Sequence, residues 1–449
     1  MIFGRRFGSS RAIRRTGISE SRMIERHTEL VRSIQLIVGD ENIIEEPVLH
    51  IDGSRPTLIA RPGSAREVAE CLQVCSQATA AVVPAGRMTW LECGNPIKCV
   101  DVVISLERMR RIVQFSPPDL TATVEAGVTL NDFSAVSMRE RQWLPFDPPG
   151  FGSASLGAIA ACNSSGALRL GFGTPRDYVI GLKLAHADGT ESKCGGQVVK
   201  NVAGYDMNKL YVGSYGTLAI ITELTFKLRP LAERISTMMV SSRSRRQLFD
   251  LARRVLASEL QPASVVFARR LSVSLTTDWP EEALLIRFIN SEGAVEHQVD
   301  WVTRTLDETS FATVLTPGDA DAVWAQVADF DQQEDIRVRL SVPLSAIPSE
   351  FEKTVLTHLE CVATADIGAG IIRMAFDGDA RSAVDQIKRL RASAAAADGS
   401  LVIERAPVEV RREVDAWGDA GSTAGLMRAI KARFDPKGLL NPGKFVSGT

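Results

Sequence analysis

Two glycine turns bracket the run from Gly195 to Glu223, which reads Gly195-Gly-Gln-Val-Val-Lys-Asn-Val-Ala-Gly-Tyr-Asp-Met-Asn-Lys-Leu-Tyr-Val-Gly-Ser-Tyr-Gly-Thr-Leu-Ala-Ile-Ile-Thr-Glu223 and leads into an alternating strand, Leu218 to Leu228. Glycine lets a backbone come close to a flat ligand, and peptide N–H groups at a strand start can bond that ligand's polar edge. Two hairpin corners in an α+β domain would use the same glycines, so spacing alone leaves both readings open. Asp206, Lys209 and Tyr211 in this run are candidates for proton handling, and buried structural hydrogen bonds account for them equally well.

Other reactive side chains are sparse. The seven cysteines (71, 75, 93, 99, 162, 194 and 361) are odd in number and include no Cys-x-x-Cys pair, which argues against a disulfide framework and against zinc or iron–sulfur ligation. Cys71 and Cys75 share helical spacing with Val68 and Leu72 and are expected in a core. This usage suits a reducing, cytoplasmic compartment. The five histidines (27, 50, 186, 297 and 358) are scattered.

A net charge of −2 gives no polyelectrolyte drive toward nucleic acid or an anionic membrane. No apolar run reaches the ~18 residues needed for a transmembrane segment. Arg5, Arg6, Arg11, Arg14, Arg15 and Arg22 stand against Glu20 alone, with no apolar core behind them as a secretory signal needs. Residues 1–22 are expected to be a disordered basic tail, or to precede a true start at Met23.

The elements that must position the glycine run fall into three zones, as 449 residues require more than one core. From about 55 to 230, short strands and helices alternate with frequent glycine and proline. Ser64-Ala-Arg-Glu67 is a capping box for a helix with apolar positions 68, 71, 72 and 75. Ala81 to Pro84 and Asp101 to Ser105 read as buried strands, Leu120 to Val124 and Tyr178 to His186 as alternating ones. From 231 to about 400, amphipathic helices such as Ser244 to Leu256 and Ala380 to Ala394 alternate with strands, which suggests an antiparallel sheet with helices on one face. The last zone, 401–449, closes on Phe434-Asp-Pro-Lys-Gly-Leu-Leu-Asn-Pro-Gly-Lys-Phe445.

The Val198-Val-Lys-Asn-Val-Ala-Gly-Tyr-Asp206 segment, with Lys209-Leu210 and Gly213-Ser214, resembles the third flavin-binding block of the FAD-binding domain of p-cresol methylhydroxylase (PCMH) and vanillyl-alcohol oxidase relatives. It is closer still to the FAD-binding subunits of bacterial glycolate oxidases. The resemblance covers roughly 55–230 and resumes at the C-terminus. It implies an α+β fold: a PCMH-type FAD-binding domain of two α/β subdomains over 23–230, an α+β cap domain with an antiparallel sheet over 231–400 for substrate or partner, and a segment over 401–449 that returns to the flavin.

Three blocks then become the expected FAD contacts. A pyrophosphate is well held by a loop of free backbone N–H groups. The first block supplies Pro84, Ala85, Gly86, Arg87, Met88, Thr89 and Gly94, with Asn95 also matching, but Arg87 and Met88 stand where relatives have two glycines. Strain follows if either position needs a positive φ, and Arg87 can offset it with a cation near phosphate. In the second block, Pro148, Gly152, Ser153 and Ala154 precede Ser155, which caps a helix of small residues containing Gly157, Ala158, Ala161 and Cys162 before Asn163 and Gly166. Close helix packing would use the same small residues. Leu168 to Asp177 continues the likeness. The third block offers Gly216, Thr217, Ala219, Ile220 and Ile221, with Ala219 replacing a usual glycine. Lys200 and Asn201 are placed to reach the flavin N1–C2 edge, or to make surface bonds. Asn441 and Lys444 match the tail that approaches the ring. Thr89 stands where some relatives tether flavin through histidine, so attachment is expected to be non-covalent.

The resemblance implies a non-covalent FAD-binding subunit of a glycolate oxidase complex, oxidising glycolate, a small 2-hydroxy acid, to glyoxylate beside a catalytic flavoprotein subunit and an iron–sulfur subunit. Membrane association is expected only through those partners, and no nucleic-acid role is expected. The catalytic relatives carry a His-rich metal stretch in the cap, which is missing here. No catalytic base and no substrate clamp is legible in 231–400, and no metal site is expected. An assembly subunit with a degenerate FAD site and a stand-alone FAD-dependent alcohol or sugar oxidase remain the alternatives.

Overall fold

Valine-rich runs four residues long are too short for helices and apolar throughout, which suits strands buried on both faces. In the computed structural model, which describes residues 20–150, 152–196, 205–273, 275, 279–329, 335–356 and 361–449, they form the centre of a four-stranded sheet. Its strands are β1 (Ile43–Glu45), β2 (Leu58–Ala60), β3 (Val82–Ala85) and β4 (Val102–Ser105), in the order β1-β2-β4-β3, with β2, β4 and β3 parallel. The helix Ala65–Ala78 joins β2 to β3 and buries Val68, Cys71, Leu72 and Cys75. Ser64 caps it by accepting from Glu67 N, a contact that contributes ~1 kcal/mol. Burial pushes the Cys71 thiol up to about 12.

A second, antiparallel sheet runs β5-β6-β10-β8-β9, from β5 (Ile112–Ser116), β6 (Thr121–Glu125), β8 (Val179–Ala185), β9 (Glu191–Gly195) and β10 (Ile220–Lys227). The short strand β7 (Gln142–Trp143) pairs with β11 (Arg229–Pro230). One apolar core, including Ile34, Leu72, Phe133, Phe226 and Leu440, joins both sheets.

The third sheet has eight strands: β12 (Arg234–Ser242), β13 (Pro262–Arg269), β14 (Glu282–Asn290), β15 (Ser310–Val314), β16 (Ile336–Ser341), β17 (Val362–Asp366), β18 (Ile371–Phe376) and β19 (Ser400–Arg405). They run β15-β12-β14-β13-β17-β18-β16-β19, with every pair antiparallel. Alternation divides its faces. Val338, Leu340, Ile372, Met374 and Ile403 pack under the helices Arg245–Ala257, Glu292–Thr305, Ile347–Leu356 and Ala380–Ala396. The expectation of helices on one face needs correcting, because Pro317–Asp329 lays Val323, Trp324 and Val327 on the opposite face, against Ala268 and Leu285. That helix has a weak apolar stripe, and Trp324 is fixed by a 2.9 Å hydrogen bond from Nε1 to Thr237 Oγ1. The architecture is α+β with an antiparallel cap sheet.

The chain's last segment returns to the first sheet. Val82 N donates to Leu439 O (2.8 Å) and Asn441 N to Val82 O (2.9 Å), which extends the sheet beyond β3. Lys431 Nζ locks this return by donating to Thr217 O (2.8 Å), Leu440 O (2.8 Å) and Asp435 Oδ2 (2.6 Å).

Candidate functional site

Three element ends converge where β3 stops, the helix Leu156–Cys162 begins and β10 starts. Between them lies a cleft open to solvent. The first block contributes Pro84, Ala85, Gly86, Met88 and Thr89 to its wall. The second contributes Ser155, Gly157, Ala158, Ala161 and Cys162, the third Gly216, Ala219, Ile220 and Ile221, and the tail Asn441.

Other expected contacts lie off the wall. Arg87 is exposed at the rim. Gly94 (φ +82°) is packed against the tail, where a Cβ would come within 2.7 Å of Lys444 O. Pro148, Gly152 and Ser153 form the loop before the helix, and Ala154 is buried behind it. Asn163 caps the helix in a left-handed conformation and accepts from Arg176 N (3.0 Å). Gly166 N donates to Asp147 Oδ1 (2.8 Å), and Thr217 Oγ1 donates to Ser214 O (2.7 Å). These residues shape the wall from behind. Lys200 and Asn201 lie outside the described residues.

The small residues divide between packing and cavity. A Cβ on Gly86 would lie 2.0 Å from Ser155 Oγ, and one on Gly157 2.7 Å from Ala126 Cβ, so these two glycines are required by packing. Ala158 and Ala161 instead leave the open space.

Met88 adopts φ +58°, the left-handed region that glycine occupies freely. The conformation costs ~1–2 kcal/mol for a side chain. Met88 recovers part of this by packing on the cluster of Ile51, Val83 and Ile97, since full burial of such a side chain contributes ~1.5–3 kcal/mol. The loop is therefore kept in shape without its glycines. Among the described residues, the N–H groups of Arg87, Met88 and Thr89 donate to no protein acceptor. A run of free N–H groups beside a small-residue wall fits an anionic, planar-ended ligand such as FAD.

Several wall residues were not singled out by the sequence. Tyr215, at φ +54°, presents its ring edge-on to Trp417 (4.7 Å) and stacks on Phe445 (5.4 Å). Its position beside Gly216 was the available signal. Trp90, Leu91 and Cys93 continue the first block. Lys444 also reaches the wall: its Nζ sits 3.2 Å from Asp52 Oδ2 and donates to Leu91 O. Asp52 is fully buried and also accepts from Arg411 Nη2 at 2.7 Å. Burial lowers the Lys444 ammonium, and the Asp52 charge opposes that shift.

The proton-handling candidates do not meet the cavity. Tyr211 is buried against Phe434 (5.8 Å), and loss of solvent pushes its hydroxyl up to about 12. Lys209 and Asp206 form a half-exposed pair at 4.0 Å. Burial raises the Cys93 thiol to about 11 and raises Cys162 as well, so both are held as thiols. Among the described residues, no group of three or more His, Cys, Asp or Glu side chains could hold a metal ion. No helix among them is long and apolar enough to cross a membrane.

The sheet face opposite the four helices carries charge toward this wall. Register places Arg339 directly opposite Arg373, and Glu404 Oε1 lies 3.2 Å from Arg339 Nε and 3.4 Å from Arg373 Nε. The guanidinium groups of Arg373, Arg339 and Arg337 hold the Glu404 carboxyl below the usual range despite its burial. Nearby, Asp366 Oδ1 accepts from Ala369 N (3.2 Å), while Oδ2 is buried without a partner. Burial raises Asp366 to about 7 and Asp147 to about 6.

Residues 56–195 match the family model described as FAD binding domain, and residues 414–445 match that of FAD linked oxidases, C-terminal domain. The glycolate oxidase subunit GlcD of Bacillus subtilis is 26% identical over 87% of this chain and 89% of its own length. A D-2-hydroxyglutarate dehydrogenase of Xanthomonas citri is 29% identical over 87% and 89%, and a probable mitochondrial D-lactate dehydrogenase of Danio rerio is 26% identical over 94% and 92%. Among solved structures, p-cresol methylhydroxylase superposes with a TM-score of 0.75 at 14% identity, covering 95% of this chain and 97% of that one. Alkyldihydroxyacetonephosphate synthase gives 0.73 at 16%, covering 93% and 86%. The fold is the PCMH-type flavoprotein fold. The chain carries a FAD-binding domain and a FAD linked oxidase C-terminal domain, and it is a FAD-dependent oxidoreductase with FAD as its cofactor.

Proposed function

We propose that this FAD-linked oxidoreductase holds FAD non-covalently in the cleft and oxidises a small 2-hydroxy acid, glycolate first among them, to the 2-oxo acid. The observation that carries this reading is the meeting of residues from three expected blocks and the tail on one cleft. The curated relatives named above are a glycolate oxidase subunit and dehydrogenases of D-lactate and D-2-hydroxyglutarate, whose named substrates are all 2-hydroxy acids.

Bound FAD supplies a two-electron acceptor. The chain's own residues bind and enclose. The free N–H groups of Arg87 to Thr89 and the rim cation Arg87 would hold phosphate. Ala158 and Ala161 leave room for the planar part, which Gly216 and Ala219 to Ile221 would border. Tyr215 on the wall is backed by Trp417 and Phe445, an aromatic cluster that would shed water from that side of the cleft. Oxidation of an alcohol also releases the hydroxyl proton, and the titratable side chains on the cleft wall are Tyr215, Lys444, Cys93 and Cys162.

The B. subtilis relative is named as a subunit. By the same reasoning the chain works in a cytoplasmic complex with a catalytic flavoprotein subunit and an iron–sulfur subunit, reaching a membrane only through them. All seven cysteines are unpaired, which suits that compartment.

The test is the visible spectrum of the purified chain before and after acid precipitation, followed by anaerobic addition of glycolate and of D-lactate. Flavin bands that pass to the supernatant and bleach with glycolate are expected. A yellow protein that neither acid bleaches, alone or with its co-purified partners, would rule out 2-hydroxy acids.

A further inference from the structure

Like charges placed directly opposite each other across a sheet are destabilising, and a buried guanidinium is costly unless paired. Arg339 and Arg373 break the first rule, and each half-buried guanidinium has only a shared ion-pair partner. They face each other across β16 and β18, on the side of the sheet away from the helices, and share a single oxygen of Glu404. Nε of each lies within 3.4 Å of that oxygen. The terminal nitrogens of Arg373 have one described contact, to Ser165 O at 3.3 Å. An arginine fork has five donors, and its natural partner is a carboxylate gripped by two parallel bonds.

The cluster adjoins the cleft through the backbone of Glu404. Glu404 O accepts a 3.8 Å contact from Cys93 Sγ, and Cys93 lines the wall. Tyr215, also on the wall, feels the charges of both Arg339 and Glu404. Its hydroxyl makes no hydrogen bond among the described residues. Glu404 feels the charges of Arg373, Arg339 and Arg337, and Asp366 those of Arg373 and Arg169, so guanidinium groups outnumber carboxyls in the cluster and a bound carboxylate would offset the excess.

We infer that Arg339 and Arg373 form an anion subsite at the Tyr215 wall of the cleft, which takes the carboxylate of the substrate while Glu404 keeps the two guanidinium groups together in its absence. This rests on the oxidoreductase reading above, and it names the residues that recognise a hydroxy acid over an uncharged alcohol.

The test is calorimetric titration of the full chain with oxalate, a dicarboxylate that this oxidation cannot consume, alongside the flavin spectrum of each sample. Arg339→Met and Arg373→Met are each expected to weaken oxalate binding ~10–100-fold, the loss of one charged hydrogen-bonding group. Arg339→Lys is expected to recover only part of it, because a point charge cannot make the paired bonds. Glu404→Gln is expected to bind at least as tightly as the unaltered chain. Parallel weakening in Glu404→Gln would show a structural brace instead, and overturn the inference. A yellow protein whose oxalate binding is absent, or unchanged in both arginine variants, overturns it and leaves the flavin reading standing. A colourless protein with arginine-dependent binding does the reverse.

Discussion

Asn441 donates from Nδ2 to the backbone oxygen of Tyr215 at 2.7 Å, across 226 positions of sequence. Tyr215 sits in the left-handed region (φ +54°), which an ordinary side chain occupies only when its surroundings insist. The amide is part of that insistence. Asn441→Ala should lower stability by ~1 kcal/mol, with retained flavin falling in step. Thermal unfolding followed by both protein and flavin signals will measure it. Lost melting temperature with unchanged flavin retention would mean that Tyr215 keeps its place without the bond.

Met88 offers a test of backbone against packing. Met88→Gly should change stability by no more than ~1 kcal/mol, because relief of left-handed strain offsets the lost contact with Ile51, Val83 and Ile97. Met88→Val should cost ~1–2 kcal/mol, since a branched side chain is worst suited to positive φ. Urea midpoints of the two variants give the comparison, and equal midpoints would refute it.

Asp52 is an anion between two buried cations, Arg411 at 2.7 Å and Lys444 at 3.2 Å. Asp52→Asn leaves both uncompensated and should cost ~3–5 kcal/mol. Lys444→Met removes one cation but leaves Arg411 on Asp52, so its penalty should be smaller. The order of the two melting temperatures decides this.

Stability should also depend on pH through Asp366 and Asp147. Burial raises their folded pKa values to about 7 and about 6, above the unfolded carboxylate range. The folded state therefore holds these protons more tightly than the unfolded chain, and stability falls as pH rises from the unfolded value through the folded one. Asp366→Asn should melt above the parent at pH 8, with the gap narrowing toward pH 4. A gap that widens on acidification would show that ion pairing, not burial, dominates at Asp366.

What sequence could reveal follows the range of the interactions. The Ser64–Glu67 cap is local, and the residues themselves dictate it. The glycine and alanine blocks were legible through the resemblance, because their spacing alone suits close packing as well as a ligand. Arg87 was read as a phosphate contact and its side chain is exposed, a setting that sequence could not give because one residue's turn in a loop is set by its neighbours. Arg339, Arg373 and Glu404 were invisible as a group. They meet only through the register of three strands that the chain visits out of order, and no local pattern encodes a register.

The return of the tail bears on how the chain is made. Lys444 reaches Leu91 O across 353 positions, and Leu439 to Asn441 lengthen the sheet that β3 otherwise ends. During synthesis, domains form as they emerge, yet this cleft lacks one wall until residues 439–444 have left the ribosome. Cofactor capture in the cleft would then wait for residues 439–444, and a product cut short of them is expected to fold most of its core yet retain little flavin.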